Sequence, residues 1–322
     1  MSVRIIEGDC LATLRTLSDG AAQCCVTSPP YYGLRDYQVA GQIGLEETPD
    51  AYVARLVDVF REVRRALTDD GTLWLNLGDS YAGSWGARGR GDGTNAPRPD
   101  FEAKHGTDPK ARNGFPTLGV KPKDLLMIPA QVALALRADG WWLRSAITWC
   151  KPAPMPESVR DRPTSATEQV FLLAKRPSYF YDASAIAEPF ADDRMGSSGA
   201  KSLPYSDGSG RHDTLSQEGK PGLGASPSTG CRNARNWWVI APSGYSGAHF
   251  ATMPPALAER CIKAGSRPGD TILDPFGGAG TTGLVADRLG RSAILCELNP
   301  EYAALARERI TGDCPMFAET AA

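Results

Sequence analysis

Thr271-Ile272-Leu273-Asp274-Pro275-Phe276-Gly277-Gly278-Ala279-Gly280-Thr281-Thr282 is the stretch that decides the fold. A short apolar strand follows the Gly269-Asp270 turn, ends at an acid, and runs through a glycine-rich turn into a helix predicted to reach Leu289. A second strand, Ser292 to Cys296, ends in Glu297, and Asn299-Pro300 starts the next helix. Strand, glycine turn, helix, strand and acid in that order make a βαβ unit, with the acid 17 residues past Gly280. The glycines let backbone approach a ligand, and the acid can take two ribose hydroxyls. The turn is not Gly-x-Gly-x-x-Gly and no Walker lysine follows it, which weakens dinucleotide and P-loop readings.

Working outward, the rest of the chain supplies more strands and helices. Val3 to Ile6 reads as an edge strand, followed by Glu7-Gly8-Asp9-Cys10 and a helix-like Leu11, Leu14, Leu17 spacing. Asp9 suits an N-cap as well as a ligand-facing carboxylate. Thr48-Pro49 starts a helix whose apolar positions Val53, Leu56, Val57, Phe60, Val63 and Leu67 lie on one face. Asp69-Asp70-Gly71 reads as a turn into the strand Thr72 to Leu77. Lys123 to Ala138 reads as a helix, Leu143 to Trp149 and Glu168 to Ala174 as strands. Phe171 and Tyr179 to Tyr181 are predicted to pair at an antiparallel sheet edge. Two stretches, 82–122 and 183–247, lose periodicity and turn rich in Gly, Pro, Ser and Arg. The first suits phosphate contact or a solvated insertion. In the second, Arg232 and Arg235 beside Trp237 and Trp238 can stack on bases or pack a small domain.

Ala21 to Thr27 reads as a buried strand that Ser28-Pro29-Pro30-Tyr31 must stop, because two prolines forbid both ladder and helix. Rigid carbonyls beside an aromatic face could bind a planar, amine-bearing ring. A polyproline docking segment or an ordinary turn would also account for these four residues alone.

The glycine turn closely resembles the S-adenosylmethionine turn of amino-directed DNA methyltransferases. Thr27-Ser28-Pro29-Pro30-Tyr31 resembles that family's catalytic tetrapeptide, His249 to Pro254 its methionine-packing segment, and Glu7-Gly8-Asp9-Cys10 its adenine-contacting acid. Catalytic motif first and cofactor turn last is the family's β arrangement. The resemblance covers residues 3–81, 123–182 and 248–310. It implies an α/β fold: a Rossmann-like, seven-stranded, mostly parallel sheet with an antiparallel edge hairpin, circularly permuted, plus an irregular target-recognition region. Residues 1–182 would form the catalytic half, 183–247 the recognition region and 248–322 the cofactor half. The implied catalytic residues are Ser28, Pro29, Pro30 and Tyr31. Implied cofactor contacts are Asp9, Cys10, Thr27, His249, Phe250, Thr252, Asp274, Pro275, Phe276, Gly277, Gly278, Gly280, Thr281, Thr282, Glu297 and Asn299. Arg35, Arg88, Arg90, Lys151, Arg232, Arg235 and Trp237 are the expected DNA contacts.

Further expectations follow from the resemblance. Ser first in the tetrapeptide goes more often with cytosine N4 than adenine N6, and the base would be flipped out of duplex DNA. Carbon-5 methylation needs a Pro-Cys nucleophile that this chain lacks, and a glutamine-directed protein methyltransferase has Asn-Pro-Pro-Tyr and the opposite motif order. An RNA methyltransferase, or an idle DNA-binding subunit retaining the fold, is the remaining alternative. A cognate restriction endonuclease and a homodimer are compatible partners. Net charge is only −2, so a polyanion must be met by local basic patches. Eight cysteines without a Cys-x-x-Cys pair fit reduced thiols and no metal site. Met1 to Asp9 carries no long apolar stretch, and the longest apolar run, Leu125 to Leu136, contains Pro129. Neither a signal peptide nor a membrane span is therefore expected, and the location expected is cytoplasmic, in a bacterium or with a phage.

Overall fold

A computed structural model describes residues 2–37, 39–82, 120–121, 123–189, 225–226, 231–242 and 253–313. Arg88, Arg90, His249, Phe250 and Thr252 lie outside the described residues. The main body comprises residues 1–182 and 236–322, and residues 183–235 form a second compact unit.

The body is built on one eight-stranded sheet. Its strands are β1 (Val3–Glu7), β2 (Ala22–Thr27), β3 (Leu67–Leu77), β4 (Trp142–Cys150), β5 (Thr167–Ala174), β9 (Trp237–Val239), β10 (Thr271–Asp274) and β11 (Ser292–Glu297). Their spatial order is β1-β11-β10-β2-β3-β5-β4-β9, and all pairings are parallel except the two that β5 makes. β2 is buried along its whole length, as a central parallel strand requires. Helices α1 (Cys10–Thr16), α2 (Pro49–Ala66) and α3 (Ile128–Ala138) pack with one another, as do α4 (Pro255–Gly265), α5 (Thr281–Arg288) and α6 (Pro300–Asp313). No described helix is long and apolar enough to cross a membrane.

Four sequence expectations are corrected. The seven expected strands are present, but Trp237–Val239 adds an eighth beside β4. The antiparallel strand is not paired with Tyr179 to Tyr181. Instead β5 lies between β3 and β4, with Phe171 opposite both Leu75 and Ala146. The Asp69-Asp70-Gly71 turn is a bulged part of β3, where the register against β2 jumps from Ala22↔Leu67 to Cys24↔Thr72. α3 begins at Ile128 and not at Lys123, because Lys123 and Met127 are held at positive φ.

Helix α2 shows how local sequence becomes packing. Thr48 Oγ1 accepts from Ala51 N at 3.1 Å and Pro49 fills the first turn. Tyr52, Leu56, Val59, Phe60 and Val63 are buried, a face rotated slightly from the expected one, so Val53 and Val57 sit at its margin. On α4, Gly265 packs against the sheet so closely that a Cβ would meet Cys24 Sγ at 2.6 Å, Trp74 Nε1 at 2.7 Å and Thr72 Oγ1 at 2.9 Å. Gly265→Ala is therefore expected to cost about 1–3 kcal/mol, the usual cost of overpacking. Chemical denaturation measures it, and an unchanged midpoint would refute the contact.

The second unit carries a small sheet in the order β6 (Glu188–Pro189), β8 (Cys231–Arg232), β7 (Ala225–Ser226). It is shorter than the expected 183–247 region, because Asn236 to Val239 belong to the body. There Asn236 O accepts from Thr148 N at 2.9 Å, and Trp238 stacks on Trp74 with centroids 6.1 Å apart. Where the chain leaves the body, Asp182 N donates to Ala264 O at 2.9 Å.

Candidate active site

Because the strands are parallel, β1, β2, β3, β4, β10 and β11 end at one edge of the sheet. The antiparallel β5 begins there. A cleft of about 590 Å³ opens at this edge and brings together the tetrapeptide, the glycine turn, Asp9, Cys10, Glu297 and Asn299.

On the glycine-turn side, Asp274 is buried at the end of β10. Its Oδ1 accepts from Thr27 Oγ1 at 2.6 Å and Phe276 N at 3.0 Å, joining the two motifs across neighbouring strands. Gly278 and Gly280 adopt positive φ, +50° and +76°, and a Cβ on Gly280 would meet that of Ala306 at 2.8 Å. Glu297 uses both oxygens: Oε2 accepts from Gly278 N at 2.7 Å and Oε1 from Asn299 N at 2.8 Å. Each oxygen keeps a lone pair for a hydroxyl donor. Burial raises the carboxyl pKa of both Asp274 and Glu297 against these hydrogen bonds. Thr282 Oγ1 donates to Val26 O at 3.3 Å, and Thr281 Oγ1 accepts from Arg309 at 2.9 Å. Asp9 Oδ1 caps α1 through Ala12 N at 2.8 Å while its Oδ2 lies 3.7 Å from Arg55, so the capping role is real. Burial pushes the Cys10 thiol up to about 12, making it an apolar wall and no nucleophile.

On the tetrapeptide side, the backbone acceptors are sorted. Tyr52 Oη donates to Pro30 O at 2.8 Å and Leu34 N to Tyr31 O at 3.3 Å. Among the described residues no donor reaches the Pro29 carbonyl. The hydrogen of Ser28 Oγ goes to Tyr31 Oη, 3.3 Å away, which leaves its lone pairs as acceptors.

A network that the sequence did not disclose fixes Tyr31. Its hydroxyl donates to Glu168 Oε2 at 2.6 Å and accepts from Asn76 Nδ2 at 2.8 Å, and Asn76 also donates to Glu168 at 2.9 Å. Lys151 pairs with the other Glu168 oxygen and lies 4.8 Å over the Trp149 ring. Burial, then the Glu168 carboxylate, hold the Tyr31 hydroxyl well above its ordinary pKa, so it stays protonated. The ring rests on Gly78, where a Cβ would come within 2.5 Å of Tyr31 Cε2. Local signals existed: Asn76 interrupts the apolar run Leu73 to Leu77, and Glu168 opens the strand expected to reach Ala174.

The basic residues are dispersed. Lys151, an expected DNA contact, is paired with Glu168 at the cleft. Arg35 lines the cleft, and Trp237 is half exposed on β9. In the second unit Arg235 Nε donates to Glu188 at 2.9 Å, with Arg232 3.7 Å from the same oxygen.

Residues 22–308 match the DNA methylase family N6_N4_Mtase. The chain belongs to this family. The methylase is 43% identical over 309 residues to the Type II methyltransferase M.SmaI of Serratia marcescens, covering 96% of this chain and 91% of that one. It is equally similar, 43% over 96% of this chain and 87% of the other, to M.XycI of Xanthomonas campestris pv. cyanopsidis. Among solved structures, TTHA0409 of Thermus thermophilus in complex with S-adenosyl-L-methionine superposes with a TM-score of 0.59 at 26% identity, covering 98% of this chain and 96% of that one. The PvuII DNA methyltransferase (cytosine-N4-specific) has a TM-score of 0.62 at 20% identity, over 97% and 91% of the two chains. The methylase is thus a DNA methyltransferase that uses S-adenosyl-L-methionine, on the fold its sequence implied.

Proposed function

We propose that the methylase transfers the methyl group of S-adenosylmethionine to the N4 amine of a cytosine rotated out of duplex DNA. The single observation that carries this is the Pro29 carbonyl, which no donor among the described residues reaches, beside the acceptor-oriented Ser28 hydroxyl and the anchored Tyr31 ring, in the same cleft as the glycine turn. An exocyclic amine is a poor nucleophile while its lone pair is delocalised into the ring. Two acceptors on its two N–H bonds make it more tetrahedral and free that pair. Ser28 and Pro29 supply them, and Tyr31 stacks on the base. The cofactor, when bound, supplies an electrophilic methyl. Ser28 acts as an acceptor and not as a general base, since no base contacts its hydroxyl. The product proton leaves to water.

The cofactor half suits this ligand. Asp274 and Glu297 offer carboxylates, Gly277 and Gly280 let the turn pack closely on Leu295 and Ala306, and Phe276 and Cys10 line apolar wall. We assign Glu297 to the ribose, and Asp9, through its Oδ2, to the adenine amine. Pro275, Thr281, Thr282 and Asn299 line the walls around them, and the buried Thr27 acts through Asp274. Cationic cofactor needs the deprotonated carboxylates, whose pKa values burial raises. Affinity is therefore expected to climb as pH rises through those raised values and to level off above them. Calorimetric titration over acidic to neutral pH checks the sign, and a flat profile counts against both assignments.

Cytosine is preferred to adenine because Ser28 opens the tetrapeptide. We assign residues 183–235 to target recognition, with Arg232, Arg235, Arg35 and Trp237 as candidate DNA contacts. The Type II designation of the relatives supports a cognate restriction endonuclease as genetic partner. The deciding experiment incubates duplex DNA with labelled cofactor and identifies the modified nucleoside. N4-methylcytosine is expected. N6-methyladenine would overturn the choice of base, and no product on varied DNA would favour an idle subunit.

A further inference from the structure

The loop joining β4 to β5, residues 151–166, leaves the sheet at the active-site edge and is braced at its base and from Glu157 to Ser165. Lys151 N donates to Ala166 O at 2.8 Å and closes its base. Arg162 donates to Glu157 at 2.8 Å and to Pro163 O at 2.9 Å, and its guanidinium stacks 4.0 Å over Tyr81. Glu157 also accepts from Ser165 N at 3.3 Å, and Lys123 reaches Asp161 at 2.6 Å. Pro152, Pro154, Pro156 and Pro163 fix four φ angles. The loop holds out two apolar side chains, Val159 and, far more exposed, Met155. Met155, between two prolines, is 86% exposed, the most exposed large hydrophobic among the described residues, and it lines the mouth of the cleft. Leaving it in water has a cost that the fold does nothing to relieve.

We infer that Met155 is the wedge that enters the duplex base stack and holds open the gap left by the rotated target base. The inference rests on the base-rotation reading above. Rotation out of a duplex breaks stacking on both neighbours, and apolar side chains inserted between base steps offset that cost. Methionine suits such a wedge, being unbranched, polarisable and able to lie against either neighbouring base. Its prolines make it rigid before DNA arrives, so little order is lost on insertion.

The test uses the full-length chain, with its methylation site located by sequencing modified DNA, and two duplexes: one with the target base normally paired, one with it opposite an abasic site. On the paired duplex, Met155→Ala is expected to lower kcat/KM on the order of ten- to a hundredfold. Met155→Leu should stay within about threefold, and the alanine defect should shrink to about threefold on the unpaired target, where opening costs little. A Met155→Ala enzyme as active as wild type on paired DNA overturns the inference. So does an equal loss on both duplexes, or a fall in cofactor affinity that accounts for the loss, since either places Met155 in the cleft wall. A wild-type chain that binds and methylates the unpaired target no better than the paired one overturns the base-rotation reading itself, and this inference with it.

Discussion

Gly78→Ala is expected to reduce methyl transfer by about a hundredfold while the protein still folds and still binds cofactor. Gly78 follows β3, and its φ is not positive, so its backbone accepts alanine without strain. What does not fit is the methyl, which would sit 2.5 Å from Cε2 and 2.8 Å from Cδ2 of Tyr31. The ring cannot simply tilt away, because its hydroxyl is tied to Glu168 at 2.6 Å and Asn76 at 2.8 Å. Either those bonds break or the stacking face moves by something approaching an ångström, a misplacement that costs about a hundredfold at a reacting centre. Steady-state methylation with calorimetric cofactor titration reads the effect. The decisive comparison is the pair Gly78→Ala and Tyr31→Ala. If the glycine acts only by seating the ring, the second change adds little to the first. Wild-type turnover in Gly78→Ala would remove Tyr31 from the mechanism proposed.

The second large effect is on cofactor affinity. Glu297→Ala is expected to weaken it by at least about a hundredfold. The carboxylate holds Gly278 N and Asn299 N while facing the cleft, so its loss removes both a ligand contact and the brace for a glycine at φ +50°. Hydrogen bonds to charged groups contribute about 1.5–3 kcal/mol each, so one lost ligand bond together with a loosened turn reaches that factor. Glu297→Gln keeps one acceptor and one brace and is expected to fall between. Thermal unfolding without cofactor separates this from a folding defect. Unchanged affinity in a folded Glu297→Ala protein would mean that the ribose is held elsewhere.

The glycine turn, its helix and Glu297 were legible because the signals lie within about 25 residues and each agrees with the next. The tetrapeptide was legible through its prolines. The surroundings of Tyr31 were not, because they depend on sheet register. Asn76 meets Tyr31 across 45 residues, and Glu168 meets it across 137. Those meetings depend on β5 lying between β3 and β4, with Leu77 opposite Gln169. An antiparallel strand at that place is visible only as another short apolar run. Trp238 was ambiguous between stacking and packing in a similar way. Its arginine-rich neighbourhood suits base stacking, yet Trp238 is buried on Trp74 under the Arg260 guanidinium, 4.6 Å away. Lys151 was countable as a positive charge, but not as the partner of a carboxylate arriving from another strand.

The segment 183–235 departs beside Asp182, pinned to α4 by its N–H, and returns at Asn236, pinned to β4 through Thr148 and through Nδ2 to Ala146 O at 3.2 Å. Both joints lie in the body and use backbone or a single amide, so they are indifferent to what is threaded between them. Lengthening such a loop is thermodynamically cheap, about 0.6 kcal/mol for each doubling. The protein is thus laid out like a tool with a replaceable bit. Under the proposed assignment of residues 183–235 to target recognition, a lineage can trade one DNA word for another by exchanging a cassette between two fixed sockets, leaving Ser28 to Tyr31, the proposed centre of the chemistry, as they are.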